Sequence, residues 1–298
     1  MSHDVLVATL AGLGGMLGWG TADFFGKKAI DEIGDIVSLV WGHVAGSAVL
    51  LAFVGLELVV TGHGITVPSS TSAWAGLSLF GVLQGAVYLF VYVGFGKGQI
   101  SVLNPVFASF SGFVALASIL FLGEAVTALG AASLGVLFAG ILLINLDLGA
   151  LRERRLRIVT VPGFREIAIA TVFATVWTLS WNRFVSAKDG LSFAVWMYLA
   201  MTVALLLYAA IRRIRLRFDK PKVWKFLLLI GLFEAFGYVA ISLGYAETSR
   251  TSLIALLSGG FSLPTLALAR LFLRERLTAT QTIGGIVIVG AVMFLALG

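Results

Sequence analysis

Glu234 is the residue in this sequence with the most chemistry to offer, because a carboxylate there interrupts a long apolar run. It falls near the middle of the stretch 223–246, so in a helix spanning a bilayer it would lie near the centre. A carboxylate at that depth costs several kcal/mol if it faces lipid. It must therefore face a cavity, carry a partner or be protonated. Such a group suits the binding of a proton or a cation, although a protonated Glu bonded to a neighbouring helix is the plainer alternative. A second stretch carries Gln84 in the equivalent place, and each is followed four residues later by a tyrosine, Tyr88 and Tyr238. Residues four apart share a helix face. Each stretch thus presents a polar group and a phenol on one stripe, and the two stripes are expected to face each other.

A similar spacing joins Trp19 to Asp23 and Trp177 to Trp181, with Asn182 adjoining. Tryptophan usually marks a membrane interface, so Trp177 in mid-run is the less ordinary case. Its ring could stack on apolar or cationic parts of a ligand, and Asn182 could hydrogen-bond a polar one. Asp23 has two readings: a second proton-coupling group beside Glu234, or a helix-end residue paired with Lys27 or Lys28. His43 is read as a packed, hydrogen-bonded side chain. Asn104 is read as opening or kinking a helix before Pro105. Glu124 and Glu275 precede Thr127 and Thr278, which suit helix N-caps.

These residues need elements that hold them in an apolar medium. Of 298 residues 59% are hydrophobic and 12% charged, which excludes an ordinary water-soluble domain. A spanning helix needs about 20 apolar residues. Ten such segments are predicted, near 5–27, 36–59, 73–95, 100–122, 127–146, 166–186, 191–211, 223–246, 251–272 and 278–297. Pro68, Pro162 and Pro221 fall in connections, whereas Pro105 and Pro264 fall within spans they are expected to kink.

Of 21 basic residues, all but Arg183, Lys188 and Arg250 fall on one side of this ten-span arrangement. Arg152, Arg154, Arg155, Arg157 and Arg276 are among the majority. The positive-inside rule makes that side cytoplasmic and puts both termini outside. The net charge of +6 is then a topology signal that points to the bilayer and not to nucleic acid. There is no cysteine, hence no disulfide or zinc–thiolate site. No metal motif, nucleotide-binding loop or Ser-His-Asp arrangement appears, so neither an enzyme nor a cofactor is expected.

The chain also repeats itself. Trp74 matches Trp224, Gly81 matches Gly231, Tyr88 matches Tyr238 and Gly94 matches Gly244, each at a spacing of 150 residues. Earlier in each half Trp19 matches Trp177. Residues 1–150 and 151–298 are thus two repeats, each of five predicted helices. Because five is odd, the second repeat enters the membrane from the opposite side. Such inverted repeats are typical of secondary transporters, where exchanging the conformations of the halves turns a cavity from one face to the other.

Two segments carry a family resemblance. GKGQISVLNPVFASFSGFVALASILFLGEAVTALGAASLGVLFAGILLI and YAETSRTSLIALLSGGFSLPTLALARLFLRERLTATQTIGGIVIVGAVMFLA each run from a small-residue turn through a helix ending near Glu-x-Leu-Thr to a Gly-rich helix. The first has Val126 where Leu is usual. Together with the opening GWGTADFFGKKA, they resemble the repeat of EamA-type proteins of the drug/metabolite transporter superfamily. The resemblance implies an all-α polytopic membrane protein with a central cavity. It also implies alternating-access transport of a small organic metabolite, an amino acid first; an amine or quaternary ammonium compound, which the aromatic residues and an acid would suit by cation–π contact, is the runner-up. The fifth and tenth helices would lie at the periphery or at a homodimer contact. Glu234, with Asp23, would be the proton-coupling candidate. Trp19, Gln84, Tyr88, Trp177, Trp181, Asn182, Glu234 and Tyr238 would meet the solute. A passive facilitator or a non-transporting scaffold is the rival expectation.

Overall fold

The computed structural model describes residues 3–62, 64–97, 100–145, 162–186, 188–274 and 277–297. Arg152, Arg154, Arg155, Arg157, Glu275 and Arg276 lie outside the described residues, as does the expected repeat boundary at 150/151. The described residues form helices and no strands. In order they are α1 (His3–Ile33), α2 (Asp35–Thr61), α3 (Thr71–Lys97), α4 (Ile100–Ala108), α5 (Phe110–Phe121) and α6 (Ala128–Asn145). Then come α7 (Phe164–Val185), α8 (Gly190–Ile211), α9 (Trp224–Glu247), α10 (Thr251–Gly259), α11 (Ser262–Leu268) and α12 (Ala279–Leu297).

Among the described residues seven segments are long and apolar enough to cross a membrane: His3–Ile33, Asp35–Val60, Thr71–Gly94, Ala128–Asn145, Gly190–Ile211, Pro221–Glu247 and Thr251–Phe272. Val106–Phe121 and Ala279–Met293 are apolar but shorter. The protein is a polytopic helical membrane protein on this ground. Apolar side chains such as Phe53, Leu56, Leu79, Phe113, Leu120 and Met293 are exposed on its outside, where lipid is the matching solvent.

Two of the expected spans are interrupted. The stretch 100–122 divides at Ser109 into α4 and α5, and 251–272 divides at Gly260 into α10 and α11. Proline supplies the cause in the second, because Pro264 has no N–H to give the carbonyl four residues back. Near Pro105 the Ser109 hydroxyl donates to the Val106 carbonyl at 2.6 Å. Ahead of Pro264 the freed Gly260 carbonyl accepts from the Leu263 N–H at 2.9 Å. The expected N-caps form: Thr127 Oγ1 accepts from Gly130 N–H at 3.1 Å, and Thr278 and Gln281 make a reciprocal capping box.

Small residues let the backbones approach. A Cβ on Gly18 of α1 would strike the Phe233 carbonyl and the Gly237 backbone of α9. A Cβ on Gly231 would strike the Gly46 backbone of α2. Gly140 of α6 and Gly284 of α12 bring those two helices into the same kind of contact.

Polar ties mark the two ends of the bundle. At one end Lys97 pairs with Glu166 and Lys220 with Glu32, each at 2.7 Å. At the other, Ser252 N–H and Oγ–H donate to the Glu124 carboxylate at 2.9 and 2.5 Å, and Arg250 donates to the Ala125 carbonyl at 2.6 Å. Burial holds the Glu124 carboxyl above the ordinary glutamate value, outweighing the lowering effect of Ser252 and Arg250. Nearby, Asp189 caps α8 through Ser192 and accepts from Thr66 Oγ1 at 2.9 Å. Burial raises the Asp189 carboxyl, but hydrogen bonds from Ser192 and Thr66 prevail and hold it below the usual aspartate value.

Candidate functional site

A cavity of about 730 Å³ lies between α1, α3, α4, α6, α7 and α11. It opens at the end of the bundle where α1 meets α2 and α12 begins, since Lys27, Gly34, Asp35 and Gln281 line it. The opposite end, tied by Glu124, Arg250 and Asp189, contributes none of its lining. Aromatic residues supply much of the wall, among them Trp19, Tyr88, Tyr92, Phe107, Trp177 and Phe261.

Asp23 lines this cavity and is exposed within it. Its pairing with Lys27 or Lys28, one of its two sequence readings, is not formed. Lys27 is tied to Asp31, at 2.8 and 2.9 Å, one turn further along the same helix face. Lys28 instead lies over the rings of Phe24 and Phe226. The helix-end pairing expected of Asp23 is replaced because α1 continues to Ile33, which places Asp31 within reach of Lys27.

The two stripes do face each other. Gln84 Nε2 of α3 donates to Tyr238 OH of α9 at 2.5 Å, and Tyr238 OH donates to Tyr88 OH at 3.3 Å. Gln84 and Tyr88 line the cavity, whereas Tyr238 and Glu234 are outside its lining. Glu234 is 4% exposed and His43 2%. His43 Nε2 stands 3.2 Å from Glu234 Oε1, and Tyr198 OH donates to Glu234 Oε2 at 3.2 Å. The His43 ring stacks on Tyr198 at 5.5 Å and meets the edge of Tyr88 at 5.1 Å.

The tryptophans divide in the same way. Trp19 and Trp177 line the cavity and each meets Tyr238 edge-on, at 5.4 and 6.0 Å. Gly237 leaves room for the Trp19 indole, which a Cβ there would strike. Trp177 Nε1 donates to the Phe80 carbonyl at 3.1 Å, which fixes the plane of its ring. Trp181 stacks on Trp177 at 5.6 Å and donates to Ser242 Oγ at 3.1 Å. Trp181 and Asn182 are buried behind the cavity wall and do not line it.

Sequence reasoning left other polar residues off the site. Asn104, Asn145 and Ser262 line the cavity and form one cluster: Asn145 Oδ1 accepts from Asn104 Nδ2 and, at 2.6 Å, from Ser262 Oγ. Asn104 and Ser262 stand one and two residues before Pro105 and Pro264, a signal available in the sequence. The sequence marks His43 only as a packed histidine, because its carboxylate partner comes from a different helix, α9. Among the described residues no group of three or more His, Cys, Asp or Glu could hold a metal ion.

A family model of EamA-like transporters matches residues 6–146 and again 166–297. A crystal structure of a protein 18% identical to this chain superposes with a TM-score of 0.75 over 97% of each chain. At that identity the likeness shows the fold alone. Among curated proteins none matches.

Proposed function

The chain belongs to the EamA-like transporter family, and on that premise we propose that it is a secondary transporter working by alternating access in the cell membrane. In this reading ten spans form two inverted five-helix repeats, 1–150 and 151–298. The interruptions at Ser109 and Gly260 support it, because they recur at matching places in the two halves. So does the one-ended cavity, which faces the end carrying Lys97, Lys220 and Arg274 and is therefore open to the cytoplasm.

The observation that carries the solute assignment is Asp23, an acid exposed in a cavity walled by aromatic rings. It would hold an ammonium group, with Trp19, Trp177 and Tyr88 packing on the cation by cation–π contact. An amino acid and an amine both offer that group. The lining favours the amine or quaternary ammonium compound. Lys27 is the one basic residue described along the lining, and Asp31 already occupies it, so an amino acid's carboxylate would find no free cation. Gln84, Asn104 and Asn145 would hydrogen-bond the neutral part of the solute.

Ligand-dependent stabilisation of the purified protein tests this reading. A compound that binds only the folded state raises the melting temperature by mass action. Choline, tyramine and phenylalanine are expected to raise it in that falling order, with glucose and cytidine inert. In Asp23→Asn the affinity for choline should fall about 10- to 100-fold, the worth of one charge-assisted contact. An undiminished shift in Asp23→Asn would remove Asp23 from the site.

A further inference from the structure

We propose that His43 and Glu234 together are the proton-carrying site of this protein, separate from the solute cavity and joined to it through Tyr88; the proposal rests on the transport reading above. The argument begins with the tautomer. His43 Nδ1 lies 2.9 Å from the Leu39 carbonyl, which can only accept, so Nδ1 keeps its hydrogen. Nε2 is then the atom that gains or loses a proton, and it faces Glu234 Oε1 at 3.2 Å. A proton taken up between the two atoms leaves imidazolium facing carboxylate. The pair has room for a second, as imidazolium and carboxylic acid.

No solute atom is needed at this pair and none has access to it. His43 is 2% and Glu234 4% exposed, and neither lines the cavity. The titratable groups that face the pair are Tyr198 from α8, Tyr88 from α3 and Tyr238 from α9; Asp23 of α1 and Tyr92 of α3 act on it through space. A route for protons does exist. Gln84 Nε2 donates to Tyr238 and Tyr238 donates to Tyr88, whose ring meets the edge of His43 at 5.1 Å, so the chain of hydroxyls leads from the cavity wall to the pair. Tyr88 also lines the cavity. It can pass its hydroxyl proton to Glu234 while taking one from a hydronium ion in the cavity, which is left as water. One proton then enters, the tyrosine is unchanged and the carboxylate becomes a carboxylic acid. Reversal of the same step releases it.

Asp23 and Tyr88 both line the cavity and Tyr88 also packs on His43, so the solute site and the proton site meet at Tyr88. A cation at Asp23 disfavours a proton at Glu234, which couples the two as an exchange. The test uses the full chain in liposomes containing a pH-sensitive dye, with choline and tyramine as probes. Wild type is expected to move protons against the probe. His43→Gln and Glu234→Gln are expected to lose proton movement while still exchanging labelled for unlabelled probe, and Asp23→Asn to lose both. Proton movement kept in both His43→Gln and Glu234→Gln would overturn the proposal, as would probe flux without protons in wild type. If wild type carries neither probe, the transport reading is what fails. The pair is then judged by nitrogen NMR of His43 in a His3→Gln, His63→Gln background. A His43 titration that shifts when Glu234 becomes Gln supports the shared proton, and a titration unmoved by Glu234→Gln refutes it.

Discussion

At the residue scale the protein places a histidine against a carboxylate where neither meets water or lipid. Removing one member of such a pair leaves the other uncompensated, a loss of roughly 3–5 kcal/mol in buried pairs. His43→Ala is therefore expected to lower the melting temperature strongly. The double variant His43→Ala, Glu234→Ala should be far less destabilised than the sum of the singles, because the orphaned charge is gone as well. Additive losses in a thermal double-mutant cycle would mean that the two residues do not interact. Glu234 was legible in the sequence because a charge in an apolar run has no bland explanation. Its partners were not. His43 and Tyr198 lie on α2 and α8, and only the crossing of those helices with α9 makes them neighbours of the carboxylate. Asp23 was half legible: its type announced a site, but the length of α1 decided whether Lys27 would claim it.

At the element scale the apolar runs gave the helices, and Thr127 and Thr278 gave their starts. The interruption at Gly260 was foreseen only as a kink, since proline forbids one hydrogen bond without dictating how the chain replaces it, and the one at Ser109 falls a turn beyond Pro105, where the Ser109 hydroxyl bonds the Val106 carbonyl. Asp189 offers the cleanest test of an element end. Its carboxylate caps α8 and receives Thr66 from the loop that precedes α3. Because the folded state holds its pKa below the ordinary value, its contribution is present above the usual aspartate range and is lost as pH falls through the lowered one. Asp189→Ala should cost about 1 kcal/mol near neutrality. The gap between variant and wild-type melting temperatures should close on acidification below the carboxylate range. A gap that is constant with pH would show that the carboxylate's charge has no part in the cap.

At the scale of the whole molecule the proposal is an inverted repeat caught with its cavity open to the cytoplasm and its other end tied shut by Glu124, Arg250 and Asp189. The sequence has no cysteine, so single cysteines report topology without background. In intact cells a cysteine at Arg250 should react with an impermeant reagent, and one at Arg213 should react only after the membrane is opened. The reverse pattern would invert the whole assignment. Function lies one level higher, and uptake of labelled choline into proteoliposomes is the measurement that bears on it most directly. The account predicts saturable uptake that disappears in Asp23→Asn and is no longer driven uphill by a pH gradient in Glu234→Gln. Uptake that never saturates, or that is as fast in Asp23→Asn as in wild type, would contradict it.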